Sequence, residues 1–577
     1  MSFQHLSTSP VAWSSLARRS FVALLVLVTW APVGADEVLA AASPQGVRPP
    51  AAAIATAHPL ATAAGFEILD AGGNAFDAAV AVGAALGVVE PYGSGLGGGG
   101  FWLLHRAADG LEVMLDGRER APLAAQRDLY LDAAGQPVPD LSLNGALAAG
   151  IPGAPAALVH LAKDYGRLPL ARSLAPAVRL ARDGFPVDSH YRRMAEYRAA
   201  VLRRFPASAA QFLVADEVPA ERAMIRQPDL ARTLEVLALE GHAGFYSGSV
   251  ANALVAGVRG AGGIWSPEDL ADYRVVERPP VVARYRGWRL VSAGPPSSGG
   301  VLLAEMLHML AEFDLPALDP VARVHLLTEV MRRAYRDRAA YLGDPDQVEI
   351  PLARLTHPLY AAGLARDIDP DRATPSDGCD SGAKGADTTH YSILDREGNR
   401  VAATLSINTP FGSGLVPPGT GVLLNNEMDD FSASPGAPNA YGLTGGEANA
   451  IAPGKRMLSS MSPTFLESDG AVAILGTPGG SRIPTMVLQA VLAAVAGGSP
   501  EDWVAKPRTH HQFLPDVIQY ESAALTALEV RALEAKGHSL KVIEDGFGNM
   551  QAILWDRNAE RVQAASDPRG LGVAEVR

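Results

Sequence analysis

The period of the apolar positions changes several times along the chain, and each change predicts an element. Ala52 to Thr56 is a short apolar run with strand character, and Leu60 to Leu69 carries its apolar residues at helical spacing. Gly72-Gly73-Asn74 breaks that helix, and Asn74 is placed to cap the next one, with Asp77 three residues on. The run that follows, Ala78 to Val89, is apolar on nearly every side, which predicts a buried helix. Phe101 to His105 reads as a strand. From about Leu158 to Leu364, Ala, Leu and Arg recur at helical spacing between many prolines, which predicts a region that packs but offers little chemistry. Strand alternation returns at His390–Leu394 and Val401–Ile407, around the turn residues Asp395 to Asn399. It recurs at Pro463–Leu466 and Ala471–Leu475, and a last long helix is expected from Pro484 to Val495. The chain shows no internal repeat and no heptad pattern.

Composition narrows the class. The chain has 577 residues, 48% of them hydrophobic and 19% charged, which suits a globular protein with a large core. A net charge of −13 argues against a general nucleic-acid binder, because neutralising phosphates requires clustered Lys and Arg. The one cysteine, Cys379, excludes an intrachain disulfide and any multi-thiolate metal site. Its setting, Asp377-Gly-Cys-Asp-Ser-Gly, reads as a flexible loop rather than a nucleophile's cradle. At the start, Arg18-Arg19 precedes the apolar run Phe21 to Trp30, and Val33-Gly34-Ala35 offers a small-x-small cleavage site. Residues 1–35 are therefore expected to be an export signal, with a signal anchor as the alternative, and residues 36–53 an Ala/Pro-rich linker. The expected location is the periplasm, or failing that the exterior. Twin arginines before Ser20-Phe21 leave the export route open.

The most informative segment is Asp387-Thr388-Thr389-His390-Tyr391-Ser392. A threonine hydroxyl is a weak nucleophile, and one remedy is the residue's own α-amine acting as base. Such an amine has a pKa of roughly 7.7–8, so it takes a proton readily near neutral pH. An internal threonine lacks that base until the bond between Asp387 and Thr388 is broken. The segment thus points to a chain that cuts itself at Asp387–Thr388 and then uses Thr388 for acyl transfer. Centring the hairpin on Glu397 puts Ser406 across from Thr388, with Asn408 two residues on and facing the same way, whereas a bulge would turn Ser406 aside. The competing reading is an ordinary surface hairpin with a Thr-rich edge.

Other segments offer partners for such a nucleophile. Gly93-Ser-Gly-Leu-Gly-Gly98 matches the dinucleotide fingerprint formally, but it follows a helix and precedes a strand, so close backbone packing is the better use of its glycines. Gly476-Thr-Pro-Gly-Gly-Ser481 runs from strand to helix, where backbone N–H groups suit an anion or an oxyanion; a plain tight turn is the alternative. Asn425-Asn-Glu427-Met-Asp429-Asp430-Phe431 crowds three carboxylates together, fit to hold a substrate ammonium or simply to be solvated. Arg118, in Asp116-Gly-Arg-Glu-Arg, is a candidate for a substrate carboxylate through its bidentate fork. Ser459-Ser460 adds hydroxyls. His510-His511 are adjacent, so on a strand they face opposite ways, and they read as structural.

Together these segments resemble the γ-glutamyltransferase (glutathione hydrolase) family of N-terminal nucleophile hydrolases, from about Ala52 to Arg569. The likeness rests on His58-Pro-Leu-Ala-Thr, Gly72-Gly-Asn-Ala-Phe-Asp-Ala-Ala, the Gly93–Gly100 run, Asp387-Thr-Thr-His-Tyr-Ser, Asn425-Asn-Glu-Met-Asp-Asp-Phe-Ser, Leu458-Ser-Ser-Met-Ser-Pro-Thr, Pro478-Gly-Gly-Ser-Arg and Ser566-Asp-Pro-Arg, all in one order. It implies an α+β fold, a four-layer αββα sandwich, built from a large fragment 54–387 and a small fragment 388–577 that stay together as a heterodimer. It implies Thr388 as processing residue and nucleophile, supported by Ser406, where many relatives have threonine. Arg118, Ser459 and Ser460 would hold the α-carboxylate of a γ-glutamyl group, Asn408, Glu427 and Asp430 its α-ammonium, and the Gly479 and Gly480 backbone the oxyanion. Ser434 to Leu443 resembles a lid loop with Tyr441 as its gate. The implied activity is γ-glutamyl hydrolysis and transpeptidation, with glutathione as donor, water, amino acids or dipeptides as acceptors, and no metal or organic cofactor. A cephalosporin or glutaryl acylase of the same superfamily, a polyglutamate-trimming relative and an inactive envelope binding protein are the alternatives.

Overall fold

The hairpin around Glu397 forms the middle of a seven-stranded antiparallel sheet. Its order is Val573–Val576, Ala53–Thr56, Thr389–Leu394, Arg400–Ser406, Gly99–Arg106, Leu111–Gly117 and Val276–Arg278. A second, six-stranded antiparallel sheet runs Arg561–Ser566, Gln551–Asp556, Ala471–Gly476, Thr464–Glu467, Trp288–Ser292 and Val281–Tyr285. This computed structural model describes residues 47–376, 388–433 and 438–577. The export signal, most of the linker, Cys379, Asp387 and the start of the proposed lid loop lie outside the described residues. Residues 46–577 form one compact unit.

Strand period fixes the layering. Successive side chains alternate between faces, so each strand feeds two cores. Ala53, Ala55, Leu103, Leu394 and Ala402 point from the first sheet toward Val291, Phe465, Val472, Ile474 and Ile553 of the second, and all are buried. On the outer face of the first sheet Ile54, Trp102, Tyr391, Ile393 and Leu405 join the core that includes helices Pro59–Asp70, Ala75–Val89 and Leu170–Asp183. On the outer face of the second, Leu290, Leu466, Ala473 and Leu475 join helices Gly299–Ala311, Pro320–Tyr341 and Ile483–Val495. The result is the α+β, four-layer αββα sandwich.

Local sequence explains the elements nearest the site. Asn74 and Asp77 form a capping box: the Asn74 side chain accepts from Phe76 N–H and Asp77 N–H, and the Asp77 carboxylate accepts from Asn74 N–H, all at 3.0 Å. The cap starts the helix at Ala75, and every residue of Ala75–Val89 except Gly87 is buried. Strands from both sides of Thr388 interleave, since Thr389–Leu394 lies between Ala53–Thr56 and Arg400–Ser406.

The structure corrects one expectation. The region read as helical from Leu158 to Leu364 also contributes Val276–Arg278, Val281–Tyr285 and Trp288–Ser292. Val281–Tyr285 alternates buried and exposed along its length, a strand signal hidden within a longer Ala/Leu/Arg pattern. Pro279-Pro280, which cannot donate to a ladder, marks the point where the chain leaves one sheet for the other. Among the described residues no helix is long and apolar enough to cross a membrane.

The glycine run before Gly99–Arg106 packs where no side chain fits. A Cβ on Gly97 would lie 1.9 Å from the Leu423 carbonyl oxygen, and one on Gly98 would lie 2.1 Å from that of Ser406. Gly98→Ala should therefore lower stability by ~1–3 kcal/mol, because the clash is with backbone. Gly260→Ala, with nothing within 4 Å of its Cβ, should stay within ~0.5 kcal/mol of the parent. Urea unfolding of the two variants compares them, and equal midpoints would remove the close-packing role.

Candidate active site

Thr388 immediately precedes the strand Thr389–Leu394, and the hairpin register places its partner. Thr404 pairs with His390 and Leu405 with Thr389, with no bulge, so Ser406 stands across from Thr388. The Thr388 hydroxyl donates to Ser406 Oγ at 3.5 Å, a long contact, and both residues are buried. Ser406 Oγ also accepts from Asn408 N–H at 2.7 Å. Asn408 sits at φ 76°, a left-handed conformation that asparagine tolerates, and its side-chain amide donates to the Asn426 carbonyl at 3.0 Å. Next along the strand, the Thr389 hydroxyl donates to Glu90 Oε2 at 2.9 Å. Burial raises the Glu90 pKa, with His58 and Thr389 opposing.

Arg118 and the carboxylates of Glu427 and Asp430 meet directly. Arg118 follows the strand Leu111–Gly117 and is fully buried, while Glu427 and Asp430 lie on the short turn Glu427–Asp430. Its guanidinium donates to Glu427 Oε2 at 2.5 Å, to Asp430 Oδ2 at 2.6 Å and to the Met457 carbonyl at 3.1 Å. Glu427 is 1% exposed, which removes the solvated-surface reading for it. A third acid, Glu119, lies 3.4 Å from Arg118, and its other oxygen has no hydrogen-bond partner among the described residues. The Arg118 guanidinium therefore faces three carboxyl groups in a largely buried site. Burial works against the Arg118 charge, but the acids outweigh it and its pKa rises. Burial pushes the Glu427 carboxyl up to about 7, with Arg118 opposing and Asp430 adding. Glu119 is pushed well above its ordinary value by burial and then by repulsion from Glu427, with Arg118 opposing.

The remaining predicted residues close around this cluster. Ser459 and Ser460 precede the strand Thr464–Glu467. Ser459 Oγ accepts from Met461 N–H at 3.1 Å, and Ser460 Oγ accepts from Arg338 at 3.3 Å. The strand Ala471–Gly476 turns through Gly479 at φ 139° and Gly480 at φ 57° into helix Ile483–Val495. Neither glycine N–H has a hydrogen-bond partner among the described residues. Tyr441 is buried against this turn: a Cβ on Gly480 would lie 2.3 Å from its ring. The Tyr441 hydroxyl donates to the Asn408 carbonyl at 2.5 Å. Asn439 donates to Asp430 Oδ1 at 3.0 Å, and Ala440 N–H to Asp429 Oδ2 at 2.8 Å. These bonds fasten the Tyr441 segment onto the acidic turn.

Arg118, Thr388, Ser406, Asn408, Glu427, Asp430, Tyr441, Ser459, Ser460 and Gly480 line one cavity of about 20 Å³. Gly479 lines a neighbouring cavity of about 310 Å³, and Thr388 borders both. Sequence reasoning missed Glu119 and Arg338. Glu119 adjoins Arg118 in the chain, so its place in Gly-Arg-Glu-Arg was a usable signal. Arg338 lies on helix Pro320–Tyr341, where one arginine among many carried none.

Among the described residues two clusters bring together groups that can ligate a cation: His325, Glu329 and His538, and His105, Glu112 and Glu467. In both, arginines occupy the carboxylates. Glu329 pairs with Arg332 and Arg333 at 3.2 and 2.6 Å, and Glu467 and Glu112 pair with Arg289 and Arg400. His510 and His511 bond to different partners, His510 to Thr485 and Gln512 at 2.8 Å and His511 to Asp516 at 3.1 Å.

Comparison with known proteins identifies the relatives. The sequence signature of the family described as gamma-glutamyltranspeptidase matches residues 61–576. The glutathione hydrolase proenzyme of Escherichia coli K12 is 42% identical over 90% of this chain and 90% of its own length. That of Pseudomonas aeruginosa is 43% identical over 88% of this chain and 92% of its own. Among solved structures, the cephalosporin acylase from Bacillus halodurans aligns with a TM-score of 0.82 at 30% identity, covering 92% of this chain and 96% of that one.

The excess of acid around Arg118 has a measurable consequence. A carboxyl whose pKa is raised in the fold loses stability as pH climbs from its unfolded value, about 4.3, toward the folded one. Glu119→Gln removes that loss. Relative to the parent, the variant should unfold at a similar urea concentration at pH 4 and at a higher one at pH 8. A difference that does not change with pH would mean that Glu119 is ionised in the fold.

Proposed function

The chain belongs to the gamma-glutamyltranspeptidase family, and on that premise we propose that it is a self-processing γ-glutamyl hydrolase and transpeptidase acting on glutathione and related γ-glutamyl amides. The observation that carries this reading is the buried meeting of Arg118 with Glu427 and Asp430 beside Thr388. A γ-glutamyl group ends in an α-carboxylate and an α-ammonium on one carbon. Such a zwitterion exchanges partners with the pair already present: its carboxylate takes Arg118, with Ser459 and Ser460, and its ammonium takes Glu427 and Asp430, with Asn408.

Processing comes first. The Thr388 hydroxyl attacks the Asp387 carbonyl, the peptide bond yields to an ester, and water frees Asp387 as a carboxylate and Thr388 as a new N-terminus. The large fragment 54–387 and the small fragment 388–577 remain a heterodimer, a reading supported by their interleaved strands. The Thr388 α-amine then takes the proton from its own hydroxyl as the oxygen attacks the γ-carbonyl. The oxyanion is received by the Gly479 and Gly480 N–H groups, the leaving amine collects the proton, and a γ-glutamyl ester of Thr388 remains. Water or an incoming amine then attacks that ester by the same route in reverse. Ser406 orients the hydroxyl, and Tyr441 gates the entrance. Each step uses groups of this chain. The segment Arg18 to Ala35 supports release into the periplasm.

A glutaryl side chain carries no α-ammonium. Once Arg118 turned to its carboxylate, Glu427 and Asp430 would be left without a cation, which is costly in a buried site. That favours the γ-glutamyl reading over the acylase one.

Thr388→Ala should leave one uncut chain on a denaturing gel and no turnover of γ-glutamyl-p-nitroanilide; two fragments from that variant would refute self-cleavage by this hydroxyl. Asp430→Asn should lower kcat/KM for γ-glutamyl-p-nitroanilide by about a hundredfold, as loss of one charge-assisted contact implies, and for a glutaryl anilide far less. Equal losses on the two donors would take the ammonium-binding role away from Asp430.

A further inference from the structure

We infer that the larger cavity at Thr388 is a carboxylate-binding subsite for the amine partner of the reaction, and that Arg482 is the cation that recognises it. This rests on the γ-glutamyl transfer reading above and names the chemistry of its second substrate: an amino acid or short peptide with a free carboxylate, leaving from the donor or arriving as the acceptor.

Position is the first argument. The cavity of about 310 Å³ and the cavity of about 20 Å³ share a single lining residue, Thr388. A donor whose γ-glutamyl end pairs with Arg118, Glu427 and Asp430 at the small cavity has its scissile carbonyl at Thr388, so the amine portion extends into the large one. Arg482 lines that large cavity two residues beyond Gly480, on the same turn as the proposed oxyanion donors.

The charge state of Arg482 is the second. Its Nε–H donates to the neutral side-chain oxygen of Gln519 at 2.8 Å, and its guanidinium lies 5.1 Å from the centre of the Phe547 ring. Its two terminal nitrogens have no hydrogen-bond partner among the described residues, and no carboxylate lies within 4.0 Å of it there. A largely buried guanidinium left in that state presents a planar fork to whatever enters.

The other charged groups of the cavity do not neutralise it. Arg569 is already bound to Glu521 and Asp567, at 2.6 and 3.0 Å. Arg193 contacts the His190 ring nitrogen at 2.7 Å, and burial together with Arg193 lowers the His190 pKa to about 4, so that ring is neutral. Glu90 is buried, accepts from Thr389 and Tyr92, and has its pKa raised by burial. Asp545 is exposed at the rim. Arg482, with Arg193 nearer solvent, gives the cavity a cationic wall whose guanidiniums have no carboxylate partner among the described residues.

The test uses the mature two-fragment enzyme with γ-glutamyl-p-nitroanilide as donor, whose leaving group is uncharged. Glycylglycine and glycylglycinamide are compared as acceptors. The parent should prefer the free carboxylate by about tenfold in acceptor kcat/KM, the lower end for a charge-assisted contact because this cavity is open to solvent. Arg482→Gln should bring that ratio close to one, and Arg482→Lys should keep part of it. An unchanged ratio in Arg482→Gln overturns the subsite, and so does a parent with no preference, whatever the variants do. A parent that fails to release p-nitroaniline with no acceptor present would instead strike at the γ-glutamyl reading itself.

Discussion

The pairing of Thr389–Leu394 with Arg400–Ser406 is the constraint on which the site depends. A strand repeats every two residues, so a slip of one position would turn Ser406 away from Thr388. If the strand Thr389–Leu394 slipped, it would also send Tyr391 and Ile393 into the space between the sheets and expel Leu394 from it. Both faces of the hairpin are buried, so the whole sandwich resists that slip. Tyr391 adds a polar lock: its hydroxyl accepts from the Trp102 ring N–H at 2.8 Å and donates to the Ala79 carbonyl at 2.9 Å. The strand Gly99–Arg106, next but one in the sheet, and the buried helix Ala75–Val89 are thereby tied to the strand that follows Thr388. The position of one hydroxyl is held by packing on two sides rather than by a loop.

The charge cluster answers a different problem. Isolated carboxylates and a guanidinium are costly to take out of water, and a vacant polar site of this kind would be unstable alone. Here Arg118 satisfies Glu427 and Asp430 in advance, and the surplus acidity is absorbed by raised pKa values at Glu427 and Glu119. The cavity beside it is about the size of one water molecule. In the proposed reading, substrate does not fill a hole but replaces one set of ion pairs by another of the same kind. Desolvation has then been met in folding, and selectivity follows from needing both charges of the incoming group at once.

How much of this was legible in the sequence depended on distance along the chain. The hairpin register followed from turn residues and a two-residue period within twenty positions, and the capping box from Asn74 and Asp77 alone. Close packing of the glycine run followed from its order, helix before and strand after. What stayed hidden was long-range. Arg118 meets Asp430 across 312 positions, and residue chemistry alone suggested them as complements without showing that they touch. Glu119 went unremarked, because nothing local reports that its chain segment is fully covered. The strands from Val276 to Ser292 were masked by the Ala, Leu and Arg around them, although Pro279-Pro280 marked the crossing. Arg338 and Arg482 shared that difficulty: an arginine's role is set by which carboxylates lie near it, and sequence does not list those.

In the proposed reading, two cavities meeting on one hydroxyl divide recognition between the halves of the reaction. The narrow one, lined by charges that pair among themselves, selects the acyl group before the covalent step. The wide one admits the amine partner, and it also admits water. Once the proposed ester has formed, its fate turns on which of these occupies the wide cavity, because both attack the same carbonyl from that side. On that reading, guanidiniums without a carboxylate partner among the described residues raise the residence of carboxylate-bearing amines next to the ester and displace water as they do so. The balance between hydrolysis and transfer is then a property of groups some distance from the nucleophile. The same Thr388 chemistry could be tuned toward either outcome by the charges around Arg482, with the γ-glutamyl cavity left as it is.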